Sequence, residues 1–182
     1  MEDTNEYKIV DYDQTYSDFT QYSTSPFSYK VLLPIIQGYG NFNMIGNGVI
    51  VRSLLFNAEM TSTSTTSVIP SMFSLIYRTT TVSPVDSFPL TVQRRDGGHP
   101  YNKINSFVDP RLTDTDIQLY HKLFYLGPDK RGETITFHID NIELPWIFQG
   151  GPSQTTGQFI LIVPYSTELA FDCVLRIHFE DK

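Results

Sequence analysis

An all-β fold, two packed antiparallel sheets joined by long loops, is predicted for this chain by three features of its 182 residues. Aromatic residues make up 14% of the sequence and prolines number eleven, against only 18% charged residues. That balance favours strands joined by turns over helical bundles. No long stretch carries a clean 3.6-residue apolar period. The last segment alternates instead: Leu169, Phe171, Cys173, Leu175, Ile177 and Phe179 fall on one side, and Asp172, Arg176, His178 and Glu180 on the other. Such a strand sets one face on a core and the other in water.

The remaining elements follow in chain order. Tyr29 to Ile36 reads as a first extended segment, with Pro34 confining it to an edge or a bulge. Val49 to Met60 is a long strand, followed by the polar stretch TSTSTTS at 61–67. Met72 to Thr79 is a second strong strand. From Thr80 to Pro110 prolines, glycines and polar residues mark long connecting structure, with one short strand at Phe88 to Gln93. Ile117 to Leu126 returns to strand character, and GPDKRGE turns the chain into Thr134 to Asp140, where Ile135, Phe137 and Ile139 alternate with Thr136 and His138. A Pro145-Trp146 segment and a Gly/Ser/Thr loop at 150–157 lead to a strand from Gln158 to Tyr165. Seven to nine strands with long connections suit a sandwich better than a meander barrel, which needs mostly short turns. The leading architecture is an eight-stranded single jelly roll.

Charge is unevenly placed. Residues 1–20 hold Glu2, Asp3, Glu6, Asp11, Asp13 and Asp18 against Lys8, so this segment carries most of the chain's net −7. Residues 1–28 therefore read as an acidic, tyrosine-rich N-terminal arm, flexible or docked through its tyrosines on a neighbour, and residues 29–182 as the folded domain. The acidic balance gives no global attraction to nucleic acid or to an anionic membrane. A single cysteine, Cys173, excludes an internal disulfide framework. No charged leader precedes an apolar core, so no signal peptide is expected, and the longest apolar run is too short to span a bilayer.

Catalytic chemistry is hard to find. His99, His121, His138 and His178 lack the close spacing of a cupin-type metal site, and no metal or other cofactor is expected. There is no GxSxG nucleophile elbow. GGPSQTTG at 150–157 lacks the Gly-Lys-Ser/Thr ending of a phosphate-binding loop and precedes a strand instead of a helix. DPRLTDTD at 109–116 concentrates aspartates without calcium-loop spacing. The expectation is a protein that is not an enzyme.

The segment LLPIIQGYGNFNMIGNGVIVRSLLF, residues 32–56, resembles a pattern in the capsid proteins of small circular, Rep-encoding single-stranded DNA viruses and of satellite tobacco necrosis virus. There an apolar-x-apolar-x-Gln-Gly element is followed by polar residues, an Ile-Gly pair, and a strand with Lys/Arg-Ser just inside it. The matching residues here are Ile36, Gln37, Gly38, Ile45, Gly46, Ile50, Arg52, Ser53 and Leu54. MFSLIYRTTT, INSFVDPRLTDTDIQLYHKLFYLG, FHIDNIELPW and GQFILIVPYSTELAFDCVLRIHFED resemble the later strands of the same group, so that the likeness covers about residues 30–182. Arg78 and threonines stand where those capsids often have an aspartate and basic residues.

The resemblance implies a jelly-roll coat protein that assembles with itself into a small icosahedral shell around a genome, and hence a place in the virion. It implies no cofactor and no membrane. Candidate nucleic-acid contacts are Arg52, Arg94, Arg95 and Lys103, and candidate subunit-interface residues are Tyr22, Phe27, Tyr29 and Tyr101. One departure is marked: these proteins usually begin with a long basic arm that neutralises the genome, whereas this chain begins with acid. Packaged nucleic acid is accordingly expected to be held weakly or not at all. The competing expectations are a jelly-roll binding module for a carbohydrate or protein ligand, with aromatics clustered around Trp146, and a cupin-like enzyme.

Overall fold

The computed structural model describes residues 7–15, 20–21, 27–38, 46, 48–79, 92–93, 107–108, 116–148, 155–164 and 166–181. Within these, β1 (Tyr7–Thr15), β2 (Thr20–Gln21), β3 (Phe27–Leu32), β4 (Gly48–Ser62) and β5 (Ile69–Arg78) are followed by the short β6 (Val92–Gln93) and β7 (Phe107–Val108). Then come β8 (Asp116–Leu126), β9 (Gly132–Ile139), β10 (Leu144–Phe148), β11 (Thr155–Thr156), β12 (Gln158–Pro164) and β13 (Leu169–Asp181).

The pairing is nested. Among the eight principal strands, the first and last pair (β1 with β13), then β3 with β12, β4 with β9, and β5 with β8 at the inner end. Two more antiparallel seams, β13 to β4 and β12 to β5, roll this long ribbon into two sheets. One runs β1-β13-β4 with β9 and β10 in series along the far edge of β4; the other runs β3-β12-β5-β8. This double Greek-key arrangement is the jelly roll expected from the sequence.

Apolar residues from both sheets fill the space between them. β4 contributes Leu54, Phe56, Ala58 and Met60, and β13 contributes the six alternating residues read from the sequence. Opposite stand Phe73, Leu75 and Tyr77 of β5 and Phe159, Leu161 and Val163 of β12. Aromatic rings tie the sheets together. Phe56 lies 5.0 Å from Phe73 and stacks on Phe137 at 5.1 Å, and Phe137 stacks in turn on Tyr120 at 4.2 Å. Offset stacks of this kind add to the burial of the rings themselves. The Tyr77 hydroxyl donates to the Pro145 carbonyl across the sandwich, and burial pushes that hydroxyl up to about 12. Gly157 sits at φ +106, where a Cβ would come within 2.8 Å of the same Pro145 oxygen. Only glycine suits that crossing.

The β5 sheet is buried on its other face as well. Met72 and Ile76 of β5, and Ile160 and Ile162 of β12, point away from the shared core yet are at most 1% exposed. This explains why β5 and β12 read as near-continuous apolar runs while β13 alternates.

Residues 7–15 correct the expectation of an acidic arm reaching to residue 28. They form β1, paired with β13 from Tyr7–Glu180 to Thr15–Asp172. Val10 and Tyr12 pack on the core, Lys8 pairs with Asp181, and Asp11 accepts two hydrogen bonds of 2.7 Å from Arg176. The acidic residues simply take the outward positions of a half-buried strand. The expected boundary at 28/29 likewise falls inside β3.

Deleting residues 1–15 is therefore expected to uncover the hydrogen-bonding edge of β13 and give an aggregating, poorly folded product. A dispensable arm would instead leave the melting temperature of the remainder unchanged, so thermal melts of the truncated protein decide between the two.

Candidate assembly surface

Arg52 stands at a defect in β4. Opposite β13 the register runs His178–Ser53 and then Phe179–Val51, leaving Arg52 as the extra residue of a bulge. On the other edge β9 ends at Ile139, opposite Leu54, and β10 begins at Leu144, opposite Val51. The intervening chain bulges too, with Asn141 at φ 57 and the Ile142 amide donating to the Arg52 carbonyl at 3.2 Å. Asparagine tolerates that left-handed conformation better than most residues. The result is a change of phase: Val49 and Val51 face the core before the bulge, and Leu54, Phe56, Ala58 and Met60 after it. A strand without the extra residue would turn one of these sets toward solvent.

The bulge aims the Arg52 side chain outward. Its Nε donates to Glu180 Oε2 at 3.0 Å, and its Nη1 pairs with Glu143 Oε1. Both carboxylates hold the guanidinium more firmly protonated, Glu143 more strongly than Glu180. The Tyr7 hydroxyl donates to Glu180 as well, which raises its own proton affinity. Four elements thus meet around one cation: β1, β4, β13 and the β9–β10 bulge. With two carboxylates to one arginine, this junction is a net acidic spot with a structural task already assigned to its cation.

The outward face of the same sheet is acidic farther along. In one cross-strand row Thr15 lies opposite Asp172 and Asp172 opposite Glu59; in the next, Asp13 lies opposite Val174. These residues, with Asn57 and Thr134, line a depression of about 350 Å³. Like charges directly opposite on neighbouring strands destabilise a sheet. Among the described residues, neither Glu59 nor Asp172 has an ion pair.

The β8–β9 corner is different in character. Tyr125 is 60% exposed and Leu123 42%, with Val68 beside the turn at 62%. Lys130 lies over the Tyr125 ring at 5.7 Å and, with Lys122, grips Glu133. Those two lysines, Lys122 first, hold the Glu133 carboxyl below the usual carboxylate range. Arg131 is exposed, and its carbonyl accepts from the Ser62 amide at 2.8 Å, which pins the turn that presents it.

Of the other candidates, Arg94, Arg95, Lys103, Tyr22 and Tyr101 lie outside the described residues, as do His99, residues 109–115 and most of the 150–157 loop. Phe27 and Tyr29 fall in β3, opposite Pro164 and Ile162 of β12. Trp146 is fully buried, 5.6 Å from Phe159, so it offers no stacking face to a ligand. His121, His138 and His178 belong to three different strands, and His138 pairs with Asp140 at 2.9 Å. Among the described residues no group of three or more His, Cys, Asp or Glu could hold a metal ion. Sequence reading missed the partners of Arg52, because Glu143 and Glu180 lie 91 and 128 positions away and only the two bulges bring them together.

No family model matches the chain, and no curated protein matches it. Among solved structures, the Cowpea mosaic virus top component, naturally occurring empty particles, is similar with a TM-score of 0.42 and 8% identity, over 96% of this chain and 87% of that chain. The fold assignment rests on the nested strand pairing and not on this likeness.

Two outcomes are expected. Arg52→Ala keeps the extra residue and lowers the denaturation midpoint with unfolding still cooperative, because Glu180 loses its cation and keeps only the Tyr7 hydroxyl, whereas deletion of Arg52 shifts the phase of β4 and abolishes cooperative unfolding in denaturant melts. Glu133→Gln lowers stability by roughly 0.5–1 kcal/mol at neutral pH. Because the folded carboxyl is depressed, that advantage of the native residue is complete above the ordinary glutamate value of 4.5 and disappears as pH falls through the depressed one. Parallel melts of the two proteins across pH 3–7 measure it.

Proposed function

We propose that this chain is the coat-protein subunit of a small single-stranded DNA virus, assembling with itself into an icosahedral shell that encloses the genome. The observation that carries this reading joins the sequence resemblance to a physical contact. Gln37 and Gly46, two residues of the capsid-like block, are linked: the Gln37 side-chain amide donates to the Gly46 carbonyl at 2.6 Å. Gly46 is held at φ +95, a conformation that favours glycine. The link sets the approach to β4, the strand on which the sheet is organised. This contact inside the capsid-like block supports reading the block as the entry to a jelly-roll strand.

On this reading the protein's work is geometrical. A stiff sandwich supplies the wedge, and its loops and faces supply contacts that closed symmetry repeats. The interface candidates Tyr22, Phe27, Tyr29 and Tyr101 belong to this proposal, as do Arg94, Arg95 and Lys103 as genome contacts. Arg52 is the weakest of the nucleic-acid candidates, since a phosphate would have to compete with Glu143 and Glu180 for it. With Asp11 and Asp13 fixed in β1 beside further carboxylates of β13 and β4, weak packaging is expected.

Size-exclusion chromatography and negative-stain microscopy of the purified protein test the proposal. Uniform, virus-sized shells with a low 260/280 nm absorbance ratio are expected. A strictly monomeric protein at high concentration and varied salt would defeat the capsid reading, and nucleic-acid-rich shells would defeat the packaging part alone. Gln37→Ala should lower the subunit's stability by about 1 kcal/mol and reduce the yield of shells.

A further inference from the structure

We infer that the acidic depression around Glu59 and Asp172 is the docking site for the Tyr125–Arg131 corner of a second copy of this chain. The inference deepens the capsid reading and rests on it. Three features of the molecule carry it. First, Asp172 and Glu59 stand directly opposite each other across the β13–β4 seam, with Asp13 in the adjoining row. Such a like-charge pair is unfavourable within one subunit and becomes favourable when a cation arrives from outside. Second, the β8–β9 corner offers that cation. Arg131 is exposed on a turn fixed by a backbone hydrogen bond and has no ion pair among the described residues. Third, both surfaces carry exposed apolar side chains. Tyr125, Leu123 and Val68 flank the corner, and Val174, Leu55 and Ile9 lie exposed along the acidic face.

The occupant is a second copy because each copy holds both halves. Glu59 pairs in register with Thr134, and Thr134 lies three residues beyond Arg131, so the two patches sit toward the same end of the sandwich. The corner of each copy can therefore meet the face of a neighbour head to tail, a contact that makes a ring when its rotation closes. A nucleic acid is the wrong occupant for the depression, since its phosphates would meet carboxylates.

Charge reversal tests the contact. Asp172→Arg turns the like-charge row into an attractive pair with Glu59, so the melting temperature of the unassembled subunit should hold or rise. The same substitution should raise the critical concentration for shell formation at low salt by about tenfold or more, because Arg131 then faces an arginine. Arg131→Glu should do the same from the other side, and the double variant Asp172→Arg/Arg131→Glu should return assembly to near the native level. The losses should shrink as salt is raised. Either single variant assembling as the native protein does would overturn the contact while the shells themselves uphold the capsid reading. Failure of the double variant to recover would overturn the pairing of these two surfaces. A native protein that forms no shell under any condition would remove both readings together.

Discussion

Everything in this fold depends on how β4 keeps one face apolar along fifteen residues. One edge of the strand is taken by β13 throughout, while the other passes from β9 to β10. The natural two-residue period cannot serve both stretches, because the core-facing residues before and after Arg52 differ in parity. An inserted residue resolves the conflict, and it does so on both edges at once. The sandwich therefore closes around a bulge, and the charged side chain at that bulge projects outward. Its two carboxylate partners then fasten the first strand, the last strand and the β9–β10 link to the same spot. Packing constraint and electrostatics are one feature here, seen from inside and from outside.

The parts of the structure that sequence reading anticipated are those where a strand is buried on one face only. β13 is the clear case, since every second residue from Leu169 to Phe179 is apolar and every one is buried. β9 alternates in the same way, with Ile135 buried and Phe137 and Ile139 half-buried. β5 and β12 were legible as strands but not as to facing, because they are buried on both sides and carry no alternation to read. β1 was missed for the opposite reason. Its outward Asp11 and Asp13 dominate the composition, while the signal that counts is the modest inward set of Lys8, Val10 and Tyr12. The phase change in β4 was hidden in an almost continuous apolar run, where Arg52 looks like an interruption and is in fact the hinge of the pattern.

The acidic N-terminal segment also takes on a different meaning once it is a strand. As a loose arm its charge would bear mainly on the genome. As the edge of a sheet, Asp11 and Asp13 are fixed in rows beside residues of β13 and β4. Some of that charge is neutralised internally: Arg176 holds Asp11 with both of its hydrogen bonds, and that pairing keeps the Asp11 carboxyl below the usual carboxylate range. The row through Asp172 and Glu59 has no such partner among the described residues. The sheet is therefore polarised along its length, compensated at the Arg176 row and without an ion pair among the described residues at the Asp172–Glu59 row.

Such a polarised sheet bears directly on assembly. In a closed homomeric shell every copy presents the same surfaces, so an unfavourable charge pair built into one subunit recurs at every equivalent contact. In the proposed contact the same chain relieves it, with a cation that its own fold leaves available. The lysines of the β8–β9 corner are engaged by Glu133, which steadies the turn, while Arg131 projects beyond them. A grip on Glu133 that is internal, next to an arginine that is not, separates the residues that build the corner from the one that can act outside it. For the proposed assembly that division of labour matters, since the overall charge of −7 is repulsive between copies and only local complementarity can offset it.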